Sequence, residues 1–345
     1  MILIRFVIKI VGVFMNTVNV ILNRKLRINL YKVLTIAILL SFILIACQKN
    51  VENTQLNKIK IACLRGPSAI TMLKLMEDAG KYNYHISMYN SPEEIVSKII
   101  KKEIDAAAIP LNLASILYHK TQRKIKVIAS GASGSLFILS KDGNLNSLED
   151  FKGKTLYLAG KGAAPEYIFL HILQNHNILN DSDIKLEYIS SHAQVASLLL
   201  AGKCDCALLP EPFATEVLFK DSSISKTVNI TKEWKDINGA EPPMGCLTAS
   251  VDFINNDTEV EKFLKLYEKS FSFVNEDLEA SALLCEKYNV MEKDIAVKAI
   301  PLCGINSLFN VRQSMKGFLQ ILHSLNPESV GGSLPDEEFY SKFVA

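Results

Sequence analysis

Short apolar runs alternate with segments of helical periodicity along the chain from residue 58 onward. Short apolar runs indicate buried strands, and apolar residues spaced three to four positions apart indicate helices. The pattern predicts strands over 58–64, 84–90, 105–110 and 124–131, and helices over 68–79, 91–103 and 112–120. Strands that alternate with helices of this length imply parallel-rich sheets with helices on both faces, which is an α/β fold.

The same order of elements begins again near residue 154. Strands are predicted over 154–160, 184–190 and 204–210, and helices over 164–177, 191–203 and 212–219. Residues 85–117 can be laid over residues 185–217 without a gap, at an offset of 100. The overlay pairs identical residues at Ser91 and Ser191, Ser97 and Ser197, Asp105 and Asp205, Ala107 and Ala207, Pro110 and Pro210, and Ala114 and Ala214. We therefore predict a structural repeat that gives two similar α/β lobes.

Cys204 and Cys206 could belong to a metal or redox site, or they could pack inside a strand. The overlay places them on Ile104 and Ala106, which are apolar positions of a short strand. Cysteine behaves there as a small hydrophobic residue. A metal would need further ligands, and the sequence has no His or Cys pair at zinc-type spacing. We predict packing, and no metal or cofactor.

Charge is distributed unevenly between the start of the chain and the rest. Residues 1–46 hold six basic side chains and no acidic one, so the remainder has 32 basic against 36 acidic residues. The formal charge of +2 therefore arises from the leader. No basic patch is evident in the folded part, and we expect no nucleic-acid partner.

The leader has the order of a secretion signal. A basic stretch precedes an apolar run from Val33 to Ala46, which is short for a transmembrane helix. The run ends in Leu44-Ile45-Ala46-Cys47, which resembles the lipobox of bacterial lipoproteins. The resemblance implies removal of residues 1–46, lipidation (palmitate included) of Cys47, and a polar tether over 47–56. An uncleaved signal anchor is the alternative, and a start site assigned too far upstream would explain the additional apolar run over 1–22.

Six cysteines follow Cys47 in the chain, at positions 63, 204, 206, 246, 285 and 303. An even count in an exported protein often indicates disulfides, but a chain of this length can build its own core. We expect mostly free, buried thiols, which would fit a reducing habitat.

Three stretches resemble the substrate-binding proteins of ABC importers, nearest to the nitrate, sulfonate, taurine and thiamine-pyrimidine-precursor group. They are SLEDFKGKTLYLAG, GKGAAPEYIFLHIL and SSHAQVASLLLAGKCDCALLPEPFA, within a resemblance over about residues 57–320. The resemblance implies a type II periplasmic-binding-protein fold, with two lobes, two crossover strands and a ligand in the cleft. Lobe one would comprise 57–134 and 247–345, and lobe two 135–246. The crossings would lie near 131–140 and 242–254.

The candidate ligand site follows from the carboxyl ends of the strands, where ligands bind in open α/β sheets. Helix N-termini that meet there favour an anion. Arg65 could grip an oxyanion by its fork, and Glu211 could accept from a ligand amine. A solvated surface charge is the alternative for Arg65, and a rim or helix-start carboxylate is the alternative for Glu211. The other candidate site residues are Gly66, Pro67, Ser68, Asn90, Pro110, Asn112, Ser133, Gly160, Gly162, Ala163 and Ala164.

These features predict an exported, lipid-anchored, monomeric binding protein. It would capture a small anionic or zwitterionic solute and deliver it to a permease and an ATPase at the membrane. No nucleophile–base pair is evident, so we expect no catalysis. The alternatives are an enzyme on the same fold, of the menaquinone-pathway or pyrimidine-synthase type, and a sensing or surface lipoprotein.

Overall fold

The structure is a computed structural model that describes residues 58–305 and 311–344. The predicted signal segment, Cys47 and the tether lie outside the described residues. Residues 58 onward form one compact unit, and no helix within the described ranges has the length and apolar character to cross a membrane.

Two five-stranded mixed sheets organise this unit. The first has the order β2-β1-β3-β10-β4, and the second has the order β7-β6-β8-β5-β9. The strands are β1 Ile59–Leu64, β2 Tyr84–Tyr89, β3 Ala106–Pro110, β4 Ile125–Ser130, β5 Leu136–Ser140, β6 Thr155–Ala159, β7 Lys185–Ile189, β8 Cys206–Pro210, β9 Ser225–Asn229 and β10 Gly245–Ser250. In each sheet one strand that arrives from the other lobe runs antiparallel to both neighbours, β10 in the first and β5 in the second.

Helices cover both faces of each sheet, as the alternating pattern predicts. They are α1 Pro67–Ile70, α2 Leu73–Asp78, α3 Pro92–Ile100, α4 Leu111–Lys120, α5 Ala164–Asn175, α6 His192–Leu200, α7 Phe213–Lys220, α8 Ile230–Asn238, α9 Val251–Ile254, α10 Asp257–Glu276, α11 Leu278–Lys287, α12 Lys293–Ala299 and α13 Arg312–Leu325. Short 3₁₀ turns lie at Ala79–Tyr82, Glu149–Phe151, Ile300–Leu302, Pro327–Val330 and Glu337–Phe339. We call the part around the first sheet lobe one and the part around the second sheet lobe two.

The predicted repeat is present in the two lobes. Strand β3 and strand β8 start and end at positions that differ by 100, and so do helices α3 and α6. Cys204 packs among residues of α6 and α7, whereas Cys206 packs on the opposite face of the second sheet. All six described cysteines are free and buried, which confirms the prediction of packed thiols.

The single helix predicted over 68–79 is wrong, because the chain forms two short helices there. Met72 has non-helical backbone angles, and the break is stabilised by Ser270 of α10. The Ser270 hydroxyl accepts from the amides of Lys74 at 3.1 Å and Leu75 at 3.2 Å, and it donates to the Thr71 carbonyl at 2.8 Å. A side chain almost 200 residues away therefore satisfies the backbone groups that the break exposes.

Two connections join the lobes. Residues 131–135 lead from β4 to β5, and residues 239–244 lead from α8 back to β10. Both lie at or near the crossings expected from the sequence. A continuous apolar cluster also runs between the lobes, where Trp234 of α8 packs edge-on against Phe318 of α13 at 5.5 Å between ring centroids.

Candidate functional site

The loop after β1 in lobe one meets the corner after β8 in lobe two. Gly66 has a φ of +106°, and a Cβ added there would lie 3.8 Å from Cδ of Pro212. Gly66 therefore supplies a backbone conformation that other residues rarely adopt, at a point of close approach between the lobes. The carboxyl ends of β1 and β8 thus face each other, as the cleft hypothesis requires.

Arg65 and Asn90, both proposed for the site, are in direct contact. The exposed Arg65 side chain donates from Nε to Oδ1 of Asn90 at 2.8 Å, and from Nη1 to the carbonyl of Asn289. Part of the guanidinium therefore holds lobe one together. Its Nη2 group has no hydrogen-bond partner among the described residues, so it can still donate to a ligand.

Pro67 and Ser68 lie in α1, which has four residues. A helix this short has a small dipole, and its contribution to anion binding is correspondingly weak. Asn112 is 4% exposed and donates to the Ser329 carbonyl at 3.4 Å, while the preceding Pro110 ends β3. The amide group of Asn112 is therefore directed toward the C-terminal segment.

Ser133 connects the first crossing to the loop after the 3₁₀ turn at Ile300–Leu302. Its hydroxyl and its amide both donate to the Gly304 carbonyl at 2.8 Å, and the hydroxyl also lies 3.4 Å from Glu241. These contacts place Ser133 at the junction of the lobes and engage its donors within the protein.

The glycine-rich loop before α5 contains Gly160, Gly162 and Ala163, and Ala164 is the first residue of the helix. The amide of Gly162 donates to the carboxylate of Glu166, a residue that the sequence analysis did not single out. Glu166 is 7% exposed, and its other oxygen accepts from the Tyr188 hydroxyl at 2.6 Å. Burial and this hydrogen bond raise the pKa of Tyr188 well above its ordinary value. A carboxylate therefore already occupies the loop, which disfavours a ligand anion at Gly162.

Glu211 is completely buried, and both of its carboxylate oxygens have partners. One accepts from Nζ of Lys226 at 2.6 Å, and the other accepts from the amide of Thr215 at 3.1 Å. The Lys226 ammonium also lies 4.1 Å from the ring centroid of Phe137. This geometry fits the helix-start alternative for Glu211, because the carboxylate satisfies an amide in the first turn of α7.

His192 is the functional candidate that sequence reasoning missed. It is the first residue of α6, after the N-cap Ser191, and its ring centroid lies 5.7 Å from that of Phe213. Phe213 follows Pro212, so His192 lies near the meeting point of the lobes. Nδ1 of His192 is buried without a hydrogen-bond partner among the described residues, and burial lowers the pKa of this imidazole to about 4. The overlay could have drawn attention to it, because lobe one has Pro92 at the same place.

The N-terminus of α6 adds backbone donors beside this imidazole. The amides of Gln194 and Val195 bond to Ser191, whereas the amides of His192 and Ala193 have no partner among the described residues. A neutral imidazole that carries its proton on Nδ1, next to two unpartnered amides, can donate to a small oxyanion together with them. Among residues 58–305 and 311–344, no group of three His, Cys, Asp or Glu side chains could hold a metal ion.

Part of the chain matches a known protein family. Residues 71–240 match the family described as ABC transporter, phosphonate, periplasmic substrate-binding protein. Residues 71–240 carry a substrate-binding domain of the ABC transporter type. This substrate-binding protein has no match among curated proteins.

Solved structures share its fold. An ABC transporter protein from Parabacteroides distasonis is 24% identical, with a TM-score of 0.71 over 83% of this chain and 99% of that chain. The periplasmic aliphatic sulphonate binding protein SsuA from Escherichia coli is 13% identical, with a TM-score of 0.64 over 78% and 91%. The alkanesulfonate-binding protein SsuA from Xanthomonas axonopodis pv. citri, bound to MOPS, is also 13% identical, with a TM-score of 0.62 over 81% and 95%. At these identities the likeness shows the fold alone.

Proposed function

We propose that this substrate-binding protein captures a small organic oxyanion, a phosphonate or a sulfonate, between its two lobes. The observation that carries the proposal is the buried, unpartnered Nδ1 of His192 beside the two unpartnered amides of α6. A buried polar atom without a partner costs free energy, and a ligand that bonds to it removes that cost. Arg65 would complete the site from lobe one through its unpartnered Nη2 group, and Glu211 would position the corner rather than contact the solute.

The family match and the structural neighbours support the oxyanion class. The description of the matched family names phosphonate as its solute, and two of the structural neighbours are named for sulfonates. Both groups present three oxygens around a central atom, so the same set of amide and side-chain donors can hold either one. Nitrate and pyrimidine-precursor solutes remain in the proposal as weaker members, since neither is named by the family description or by these two neighbours.

A thermal-shift screen followed by calorimetry tests the solute class. The panel is methylphosphonate, 2-aminoethylphosphonate, methanesulfonate, taurine and nitrate, with sulfate and phosphate as inorganic controls. A ligand at a hundred times its Kd stabilises the native state by about 2.7 kcal/mol. For a unit of about 290 residues, an unfolding entropy of about 2.1 cal/mol/K per residue converts this to a Tm increase of about 4 °C. A panel without any such increase contradicts the proposed class.

A pair of matched variants tests the site itself. His192→Phe removes Nδ1 but keeps a ring against Phe213, and we expect it to weaken binding of the best solute about tenfold. His171→Phe is the control. His171 lies in the second half of α5, and its ring packs on Trp234 of α8. Equal affinities in the two variants would remove His192 from the site.

Delivery and anchoring complete the proposed function. The protein would dock on the permease and ATPase subunits of an importer, and a lipid on Cys47 would hold it at the outer face of the cell membrane. Palmitate incorporation into the wild type but not into a Cys47→Ser variant is the expected result. Recovery of the bound solute in unaltered form, measured by mass spectrometry, would agree with binding and transport, and conversion of the solute would favour the enzyme alternative.

A further inference from the structure

The end of lobe one that lies opposite the cleft carries a concentration of lysines. The amino ends of β1, β3 and β4 meet there, and so do the carboxyl ends of the helices that lead into β3 and β4. We call this surface the basic end and define it by Lys58, Lys60, Lys101, Lys120, Lys124 and Lys126.

Backbone hydrogen bonds across the sheet bring these lysines together. The amide of Asp105 donates to the Lys60 carbonyl at 2.8 Å, and the amide of Ser250 donates to the Asp105 carbonyl at 2.8 Å. The next residue, Val251, donates to the Lys124 carbonyl at 2.9 Å. Lys60 and Lys124 are therefore about three strand spacings apart, on the order of 15 Å.

The basic end carries an excess of positive charge among the described residues. Five of the six lysines are exposed, Lys126 is half-buried, and none of the six forms a salt bridge with a described residue. Three neighbouring carboxylates pair with other cations, in the contacts Lys98–Glu103 at 3.1 Å, Lys102–Asp252 at 3.8 Å and Arg123–Asp336 at 2.9 Å. A fourth carboxylate, that of Asp105, lies within the basic end and accepts from the backbone amide of Lys60 at 2.8 Å, so the six lysines still leave an excess of positive charge. At the corresponding end of lobe two the two signs are nearly balanced, with four carboxylates (Asp142, Asp181, Asp183 and Asp205) and five lysines (Lys141, Lys152, Lys154, Lys185 and Lys203) beside the strand ends.

We propose that the basic end rests on the anionic phospholipid headgroups of the membrane that carries the protein. The inference rests on the proposed lipid anchor at Cys47. Eleven residue steps separate Cys47 from Lys58, which begins this surface, so the anchor can hold it at most about 40 Å from the bilayer. A tether of this length keeps the lysines at a high effective concentration near the lipid surface, where each cation is attracted to anionic headgroups.

This contact would orient the binding cleft. The lysines lie at the amino ends of the strands, and the cleft lies at the carboxyl ends. With the basic end on the membrane, lobe one lies between the lipid surface and the cleft, so the cleft of the waiting protein is held away from the lipid and is accessible to solute. Docking on the permease then requires release of these contacts, each of which is weak and screened by salt.

The basic end is not evident in the linear sequence, because four separate segments of the chain supply its six lysines. The same charges would also attract the phosphates of a nucleic acid. The periplasmic character of the matched family favours lipid headgroups, because a protein outside the cytoplasm meets a membrane surface continuously.

Lysine footprinting of the membrane-attached protein tests the proposal. The full-length protein, isolated with its membranes, is reconstituted into vesicles of phosphatidylcholine alone or with about one third phosphatidylglycerol. An amine-acylating reagent then labels accessible lysines, and mass spectrometry gives the extent for each one. We expect the six lysines to be labelled several-fold less on the anionic vesicles, with the protection lost at high salt. Lys185, Lys203 and Lys232 of lobe two are internal controls that keep their labelling.

Two triple variants sharpen the test. The variant K120Q/K124Q/K126Q should lose the protection of Lys58, Lys60 and Lys101, whereas K185Q/K203Q/K232Q should retain it. Equal labelling on both kinds of vesicle, for protein that floats with both in a density gradient, overturns the inference and leaves the anchor standing. Failure to float, with the six lysines unprotected, overturns the anchor and the inference together. Protection by duplex DNA but not by anionic vesicles would assign the surface to nucleic acid and overturn it as well.

Discussion

Lys226→Met is expected to destabilise the protein strongly, because it leaves the Glu211 carboxylate buried without its cation. Glu211 is 0% exposed, the Lys226 side chain is 22% exposed, and their charged atoms are 2.6 Å apart. Removing one partner of a buried ion pair costs about 3–5 kcal/mol. Partial exposure of Lys226 favours the lower limit, about 3 kcal/mol, and methionine keeps the apolar stem against Phe137.

Calorimetric unfolding at neutral pH measures this cost. An unfolding entropy of about 0.6 kcal/mol/K for a unit of about 290 residues converts 3 kcal/mol to a Tm decrease of about 5 °C. Lys232→Met is the matched control, because Lys232 and Asp236 form an ion pair at 2.5 Å with side chains 65% and 56% exposed. An exposed pair within a helix contributes about 0.3–0.5 kcal/mol, so the control should lose less than about 1 °C.

A double variant separates the buried charge from the lost contact. In E211Q/K226M the side chain at 211 is neutral but can still accept from the Thr215 amide. We expect it to regain a large part of the lost stability, since the uncompensated charge is gone. The reasoning is refuted if Lys226→Met unfolds within 1 °C of Lys232→Met, or if the double variant is no more stable than Lys226→Met.

Four further outcomes follow from contacts in the structure. Arg65→Ala should weaken solute binding about tenfold, and Arg65→Lys should recover part of the loss, because lysine keeps the charge but lacks the forked donors of the guanidinium. An unchanged Kd in Arg65→Ala would exclude Arg65 from the site. Ser270→Ala should cost about 1–3 kcal/mol and speed hydrogen exchange at Lys74 and Leu75, whereas Ser272→Ala on the same helix should change neither. The six described thiols should resist Ellman's reagent at pH 8 in the native protein and react after denaturation. Burial raises the pKa of Cys204 to about 11 and the pKa of Cys63 and Cys285 to about 12, so rapid reaction of the native protein would contradict their burial. As the pH drops from about 6.5 toward 4, the unfolding temperature of the wild type should fall relative to that of His192→Phe. The folded-state pKa of His192 is lowered to about 4, so in this range the imidazole binds a proton in the unfolded chain but not in the folded one, and parallel Tm profiles would contradict its burial.

The local pattern of the chain was sufficient for the elements and their repetition. Strands β3 and β8 and helices α3 and α6 follow from alternating apolar segments, N-cap serines and the offset of 100. The same overlay explained Cys204 and Cys206, because a strand buried on both faces accepts a small apolar side chain at either position. Strand and helix positions, and the burial of small side chains within a strand, depend mainly on residues that are close together in the chain.

The candidate site could be predicted only in outline. Strand ends and glycines located the loop at Gly66 and the corner at Pro212, which the structure brings so close across the lobes that a Cβ added to Gly66 would lie 3.8 Å from Cδ of Pro212. The roles of individual side chains depended on partners far along the chain. Glu211 is engaged by Lys226, and the guanidinium of Arg65 is shared with Asn289. His192 became a candidate only when its Nδ1 was found buried without a partner.

The sequence by itself determined the α/β architecture and the repeat, and it predicted the ligand-binding end of each sheet, because hydrophobic periodicity and capping act over a few residues. The tertiary structure decided which polar groups remain available, where Ser270 divides a helix, and that lysines from four segments form one basic end. Those outcomes depend on burial and on partners separated by tens to hundreds of residues, and both exist only after the two sheets have formed.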